Sequence, residues 1–364
     1  MEQDDTIRTR ERITAIQALR GIAALAVAIG HARIAAYWLA RRYGEGGPPP
    51  GQFGGWGVDL FFVISGFVMV HASAEWFARP GARGVFVKRR LIRIVPLYWL
   101  ATCVFAAWRL KFGPPFGHGL LLASLVFLPW SPTGSLDHVV PVLDQGWTLA
   151  FEMLFYLLFA IAIGWRAGRA VAIQSVMLGA AVVIGALATP TNAALFSWTR
   201  PILIEFVAGM GLALAYRRGM ILPLWARLML AAAGVAGLAC APDAFPHWQD
   251  AHRLLWWGIP AALLMAAAVS GPIRLPWQRL WERLGDASYA LYLWHLPLFA
   301  VAGFVVRRAH VPFAQWPFIV IVVLLAQGVG LFSFRWLERP LTTALNRRFV
   351  PARHRDDGLE ESGA

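Results

Sequence analysis

Long apolar runs broken by short basic stretches recur along the whole chain, and their lengths set the first expectation. A helix needs about 20 mostly apolar residues to cross a bilayer. Runs near that length lie at Ile16–Trp38, Trp56–Trp76, Ile94–Trp108, Trp147–Trp165 and Ala170–Ala188. Others follow at Ile202–Tyr216, Leu224–Cys240, Leu254–Val269, Ser288–Val306 and Trp316–Trp336. The run at Leu120–Trp130 is shorter, has Gly and Pro at its flanks, and fits a re-entrant or interfacial segment. The pattern predicts an all-α polytopic membrane protein with about ten transmembrane helices plus that one short segment.

Composition removes the soluble alternatives. The 364 residues are 58% hydrophobic and 15% charged, against roughly 45–50% apolar and about 25% charged in ordinary globular chains. So little charge cannot cover the surface of a soluble enzyme, and so much apolar content excludes disorder. Lys+Arg 33 against Asp+Glu 20 gives a net charge of +13. In a soluble protein that excess would point to nucleic acid. Here the basic clusters fall between apolar runs, where positive-inside topology explains them and no nucleic-acid partner is expected.

The clusters sit at Arg8–Arg12, Arg79–Arg93, Arg166 and Arg169, Arg217–Arg218, Arg274–Arg283 and Arg339–Arg355. If every long run crosses and the short one does not, all of them share the cytoplasmic side, which places both termini inside. Arg41–Arg42 and Arg307–Arg308 are the exceptions. The first run is expected to be a retained span rather than a cleaved signal peptide. The chain divides into a membrane domain, residues 1–340, and a polar cytoplasmic tail, residues 341–364. No transporter-type internal repeat is visible. Cys103 and Cys240 have no metal-ligand or redox spacing, so no metal site is expected.

Ionisable residues inside spans are costly and mark functional candidates. They are Arg20, His31, Asp59, Glu152, Glu205 and His295, with His71 near a helix end. Arg20 and His31 lie eleven residues apart, close to three turns, so they project from one face about 16 Å apart along the axis. Alone, Arg20 reads as a snorkelling anchor and His31 as a packed histidine; together they suggest a polar channel. Asp59 either caps the start of its helix or partners the imidazole of His31 at similar depth. Ser65 and Gly66 read as a close-packing pair.

In Lys88-Arg89-Arg90-Leu91-Ile92-Arg93, Arg89 and Arg93 share a helical face, and Arg90 nearly joins them. Such forks suit a multiply charged phosphate, with topogenic charge as the plainer reading. Glu152 opens its span after Trp147 and needs a partner or an aqueous cavity. His295, about two and a half turns into its own span, reads equally as a structural histidine. Asp286 reads as a helix N-cap. The layout is asymmetric, with arginines facing the cytoplasm and a His/Asp/Glu group deeper. It suits an anionic substrate from inside and a neutral acceptor from outside.

At these residues the chain resembles the membrane acyltransferase 3 family, which O-acylates glycans and other acceptors. The resemblance runs from about Ile16 to Pro340. Its most specific parts are Arg20 with His31, the Gly57–Phe67 run and Arg90-Leu91-Ile92-Arg93. Trp147–Glu152 with Phe155-Tyr156, Tyr289–His295 and Glu338-Arg339-Pro340 support them. The resemblance implies transfer of an acyl group, most often acetyl, from cytoplasmic acyl-CoA to a hydroxyl of a surface or exported glycan or a lipid-linked oligosaccharide. It implies residence in the bacterial cytoplasmic (inner) membrane, with acyl-CoA as co-substrate and no permanently bound cofactor.

It also implies that His31 is essential, with Arg20, Arg90 and Arg93 required. His31 is then the general base, or a covalent acyl carrier. Glu152 is its orienting partner or an acceptor-binding group, and Asp59 is second for that part. Arg20, Arg89, Arg90 and Arg93, with Trp147, Tyr289 and His295, form the expected substrate-binding set. Many relatives carry two adjacent acidic residues where this chain has Glu152-Met153, a departure that leans toward polysaccharide acceptors. No fused hydrolase-like domain is evident, so a relay to a second transfer site is not expected. The competing reading is a transporter or flippase of a lipid-linked sugar, with an assembly scaffold third.

Overall fold

The structure is a computed structural model that describes residues 2–44, 50–136, 139–188, 190–242, 251–309 and 313–350. Among them every regular element is helical: α1 Glu2–Arg42, α2 Trp56–Ala72, α3 Ala82–Phe112, α4 His118–Leu125, α5 Gly146–Ala162, α6 Ala167–Ala188, α7 Ala193–Trp198 and α8 Leu203–Arg217. Then follow α9 Leu224–Ala239, α10 Ala251–Arg253, α11 Ile259–Val269, α12 Gln278–Asp286, α13 Ser288–Ala309, α14 Gln315–Ser333 and α15 Arg339–Phe349. Seven helical stretches are long and apolar enough to cross a membrane, and α2, α5 and α9 are shorter apolar helices. The Leu120–Trp130 run contains only the eight-residue α4. It is tied to α3, where Tyr98 Oη donates to the Ser124 carbonyl at 3.1 Å and Trp99 Nε1 to that of Leu125 at 2.8 Å.

Large apolar side chains face outward on α6, α9 and α14, among them Leu187, Val183, Leu228, Met229, Leu324 and Val320. Water would not tolerate apolar faces that continuous, whereas lipid does. The protein is therefore an integral membrane protein built from apolar helices.

The order of packing follows from the smallest residues. α2 is the central helix, with most of its side chains buried, and it crosses α8 at backbone contact. A Cβ on Gly66 would fall 2.2 Å from the Phe206 carbonyl oxygen, and one on Gly209 2.0 Å from that of Val63. Reciprocal glycines of this kind let two helices meet where no hydrophobic force drives them together. α1 packs against α2 on one side and α13 and α14 on the other. One aromatic-rich core joins α2, α3, α5 and α8, and a smaller one joins α1, α13 and α14. Phe61 touches both.

Two helices contain a wide π-helical turn, Leu254–Gly258 before α11 and Phe334–Glu338 before α15. Each turn includes the residue four positions before a proline, Trp256 before Pro260 and Trp336 before Pro340. Proline cannot donate to that carbonyl and its ring crowds it, so the helix widens to pass. The second turn swings Glu338 inward to 2% exposure. Helix continues beyond it to Phe349, across the expected tail boundary at 340.

α3 begins at Ala82, so Arg89, Arg90 and Arg93 stand on the first turns of a span rather than in a loop. The amphipathic α12 lies across the foot of α1. Gln17 Nε2 donates to Asp286 at 2.7 Å, Thr14 Oγ1 to Glu282 at 3.1 Å and Gln278 Nε2 to Thr14 at 2.8 Å. Asp286 is therefore an inter-helix acceptor at the end of α12, not the N-cap that its place before Ser288 suggests.

Candidate active site

A cavity of about 140 Å³ opens between α1, α2, α3, α5 and α13. α1 supplies Arg20; α3 supplies Arg90 and Arg93; α5 supplies Glu152 and Tyr156; α13 supplies Ser288, Tyr289 and Tyr292; and α2 closes it with Phe61, Ser65 and Met69. Five expected site residues thus meet at one hollow: Arg20, Arg90, Arg93, Glu152 and Tyr289.

The charged groups divide the cavity into two ends. At one end Arg20 Nη1 donates to Gln17 at 3.0 Å, and Arg93 stands 3.8 Å from the buried carboxylate of Glu338. Among the described residues no hydrogen-bond donor reaches either oxygen of Glu338, nor does an acceptor reach Nε of Arg90. Burial pushes the Asp286 carboxyl up, while Arg20 and Arg93 pull it down. Further in, Glu152 Oε1 accepts from Ser65 Oγ at 3.0 Å and from the Tyr156 hydroxyl in a short bond. Tyr289 Oη donates to the Ile94 carbonyl at 2.8 Å.

His31 and His295 lie just beyond this lining. Their rings are 5.1 Å apart by centroid, and His295 Nε2 is 3.1 Å from His31 Nδ1. Tyr292 bridges the two regions, since it lines the cavity and its ring lies 5.8 Å from that of His295. Gln145, at the mouth of α5, donates to the carbonyls of Tyr292 and Leu293 at 3.1 and 2.8 Å, which fixes this part of α13.

Asp59 partners a different group from the one the sequence suggested. Both its oxygens accept from Arg253, at 2.9 and 2.7 Å, and it is fully buried. The Arg253 guanidinium also lies over the rings of Trp257 at 4.8 Å and Trp147 at 5.7 Å. Glu205 of α8 is buried as well, and among the described residues no hydrogen-bond donor reaches either of its oxygens. The proximity of Asp59 and His31 in depth did not translate into a pair, because Arg253 is the stronger partner for a buried carboxylate. Trp147 lines a separate small hollow of about 20 Å³ beside Tyr98 and Phe151. Arg89 lies over the Trp76 ring at 4.2 Å and is not part of the main cavity.

Sequence reasoning missed Gln145 and Arg253, and it gave no site role to Ser65, Tyr156, Tyr292 and Glu338, which it named only as a packing residue or within the motifs of the resemblance. Tyr156 was findable, because a polar ring four residues after Glu152 falls on the same face. Ser65 was read as packing alone, yet it also holds Glu152. Arg253 sits just before an apolar run and so falls outside the list of charges within spans.

Comparison with known proteins shows the family of the chain. A family model described as an acyltransferase domain, of the acyltransferase 3 type, matches residues 13–332. The chain belongs to the acyltransferase 3 family. This acyltransferase is 34% identical over 305 residues to the exopolysaccharide production protein ExoZ of Rhizobium meliloti, an alignment covering 81% of this chain and 92% of that protein. It is 25% identical over 361 residues to the O-acetyltransferase OatA of Staphylococcus aureus, covering 90% of this chain and 56% of OatA. It is also 29% identical over 167 residues to protein 2 in the picA locus of Rhizobium radiobacter, 41% of this chain and 82% of that one. No solved structure matches. These likenesses favour an integral-membrane acyltransferase over a flippase.

Proposed function

We propose that this acyltransferase moves an acyl group, acetyl in the first instance, from acyl-CoA to a hydroxyl of an exported or surface glycan. The carrying observation is that Arg20, Arg90 and Arg93 line one cavity with Tyr292, whose ring lies 5.8 Å from that of His295 in the His31–His295 pair. Guanidinium forks recognise phosphates by charge-assisted, often bidentate hydrogen bonds. The phosphates of CoA therefore dock on the arginines, and the pantetheine arm runs inward past Tyr289 and Tyr292. The printed names of ExoZ and OatA, one concerned with exopolysaccharide and one with O-acetyl transfer, support a glycan acceptor.

In this mechanism His31 acts as general base. Its imidazole takes the proton of the acceptor hydroxyl as the oxygen attacks the thioester carbonyl. The C–S bond breaks, an ester forms, and the proton returns from His31 to the departing CoA thiolate. Glu152, held by Ser65 and Tyr156, receives a hydroxyl of the acceptor at the cavity. Ten crossings with both termini in the cytoplasm put the arginine end on the side where acyl-CoA is made.

The test uses protein in nanodiscs with radiolabelled acetyl-CoA and a glycan acceptor. His31→Ala is expected to lower transfer by about 10²–10⁴-fold, the usual worth of a general base, while acetyl-CoA still binds. Full transfer by folded His31→Ala removes His31 from the chemistry. Wild-type protein that neither binds nor turns over acetyl-CoA or longer acyl-CoAs overturns the donor assignment.

A further inference from the structure

The hydrogen bonds around the histidine pair fix which nitrogen of each ring carries the proton. His295 Nδ1 is 3.2 Å from the Leu291 carbonyl, and His31 Nδ1 is 3.1 Å from the Val27 carbonyl. A carbonyl oxygen only accepts, so each Nδ1 must be the N–H of its ring. Nε2 of neutral His295 is then a bare lone pair, and it lies 3.1 Å from His31 Nδ1. It accepts from His31 Nδ1–H, which is shared with the Val27 carbonyl. The reverse arrangement, with Nε2–H on His295 and Nδ1 bare on both rings, sets two lone pairs against two carbonyl oxygens. The remaining nitrogen, His31 Nε2, has no proton and, among the described residues, is the one basic nitrogen of the pair not committed to a hydrogen bond.

We infer that His295 is the positioning residue of His31. Its Nε2 orients the ring and holds His31 in the Nδ1–H tautomer that leaves Nε2 open to the acceptor hydroxyl. This inference rests on His31 being the base. When His31 Nε2 takes the hydroxyl proton, the ring becomes a cation whose Nδ1–H still donates to His295. That bond is then charge-assisted and stronger than in the neutral ring. His295 accepts that bond through Nε2, while its own Nδ1–H stays on the Leu291 carbonyl. Burial to 1% exposure, with Tyr292 and Phe299 packed around the ring, holds it in place. The part that sequence reasoning gave to Glu152 or Asp59 thus falls to a second imidazole, since those carboxylates are engaged by Ser65 and Tyr156 and by Arg253.

Two measurements test it, one independent of turnover. Nitrogen NMR of histidine-labelled protein in nanodiscs, assigned with His31→Gln and His295→Gln, reads the tautomers directly. Protonated Nδ1 and bare Nε2 on both rings is the expected spectrum; an Nε2–H tautomer on either ring overturns the inference. In transfer assays, His295→Ala is expected to lower kcat about 10–100-fold with the KM for acyl-CoA unchanged. His295→Gln, whose amide oxygen can accept from His31 Nδ1–H, is expected to recover most of that loss. If Gln is no better than Ala, and His295→Leu does as well as Gln, the residue only fills space and the inference fails. His31→Ala separates the two ideas. Full activity there ends the base reading whatever the NMR shows, whereas loss there with no Gln rescue ends only the positioning role.

Discussion

Two buried ionic groups sit within this one membrane domain, and they differ in what is left over. At Asp59–Arg253 the carboxylate takes two hydrogen bonds from one guanidinium, which is stacked on Trp257 and tied to the Gly55 carbonyl at 3.3 Å. The Asp59–Arg253 pair closes on itself, and Glu205 stays outside it. At the cavity, Arg93 and Glu338 approach only to 3.8 Å, Arg90 Nε has no acceptor among the described residues, and Arg20 leans on a glutamine. Here the charges are collected but not mutually spent, and they face open volume. A closed pair holds helices together, while an open set of like charges beside a cavity is arranged for a ligand of opposite sign.

The sharpest way to break that contrast is to remove Arg253. Arg253→Met leaves Asp59 as a buried charge without its cation, and a loss of about 3–5 kcal/mol is expected, read as a large fall in melting temperature in detergent. The double variant Asp59→Asn with Arg253→Met should recover much of it. A small effect of the single change would mean that the pair is not structural.

Arg93→Ala should behave in the opposite way. Its melting temperature stays near wild type, while acyl-CoA affinity falls by about 1.5–3 kcal/mol, the worth of a charged hydrogen bond. Titration with labelled acyl-CoA measures this, and unchanged affinity would take Arg93 out of the donor site.

The smallest effect belongs to Asp286, at the edge of the open set. Burial raises its carboxyl above the ordinary value near 3.9, so folding favours the protonated form. Its contribution to stability is therefore complete below the unfolded value and is lost as pH rises through the folded one. Asp286→Asn should flatten that part of the stability–pH curve, by less than about 0.5 kcal/mol because the group is partly solvated. An unchanged slope would show that another group titrates there.

Much of the site was legible because it is written in helical spacing. Arg20 and His31 share a face by arithmetic alone, as do Arg90 and Arg93 nearly, and intramembrane charge marked Glu152 and His295. What spacing could not supply was partnership. Asp59 and His31 lie on neighbouring helices, yet the residue that takes Asp59 comes from 194 positions later in the chain. His31 meets His295 from 264 positions away. Neither separation leaves any periodic trace. Gly66 was correctly read as a packing residue, whereas its neighbour Ser65 serves both packing and the cavity.

The sequence by itself determined that this is an all-helical membrane protein, since only runs of such length and apolarity satisfy both backbone and lipid. It also determined which side chains carry charge into that apolar setting, because each is expensive there. Tertiary structure alone decided how those charges were divided. Glycine-mediated contact of α2 with α8 and the proline-driven π turns bring Arg253 and Glu338 inward. One charge was thereby closed into a scaffold, and the arginines were left open around a cavity. The physical reason is range: a hydrogen bond or ion pair acts over a few ångströms, and only the fold brings residues hundreds of positions apart within that distance.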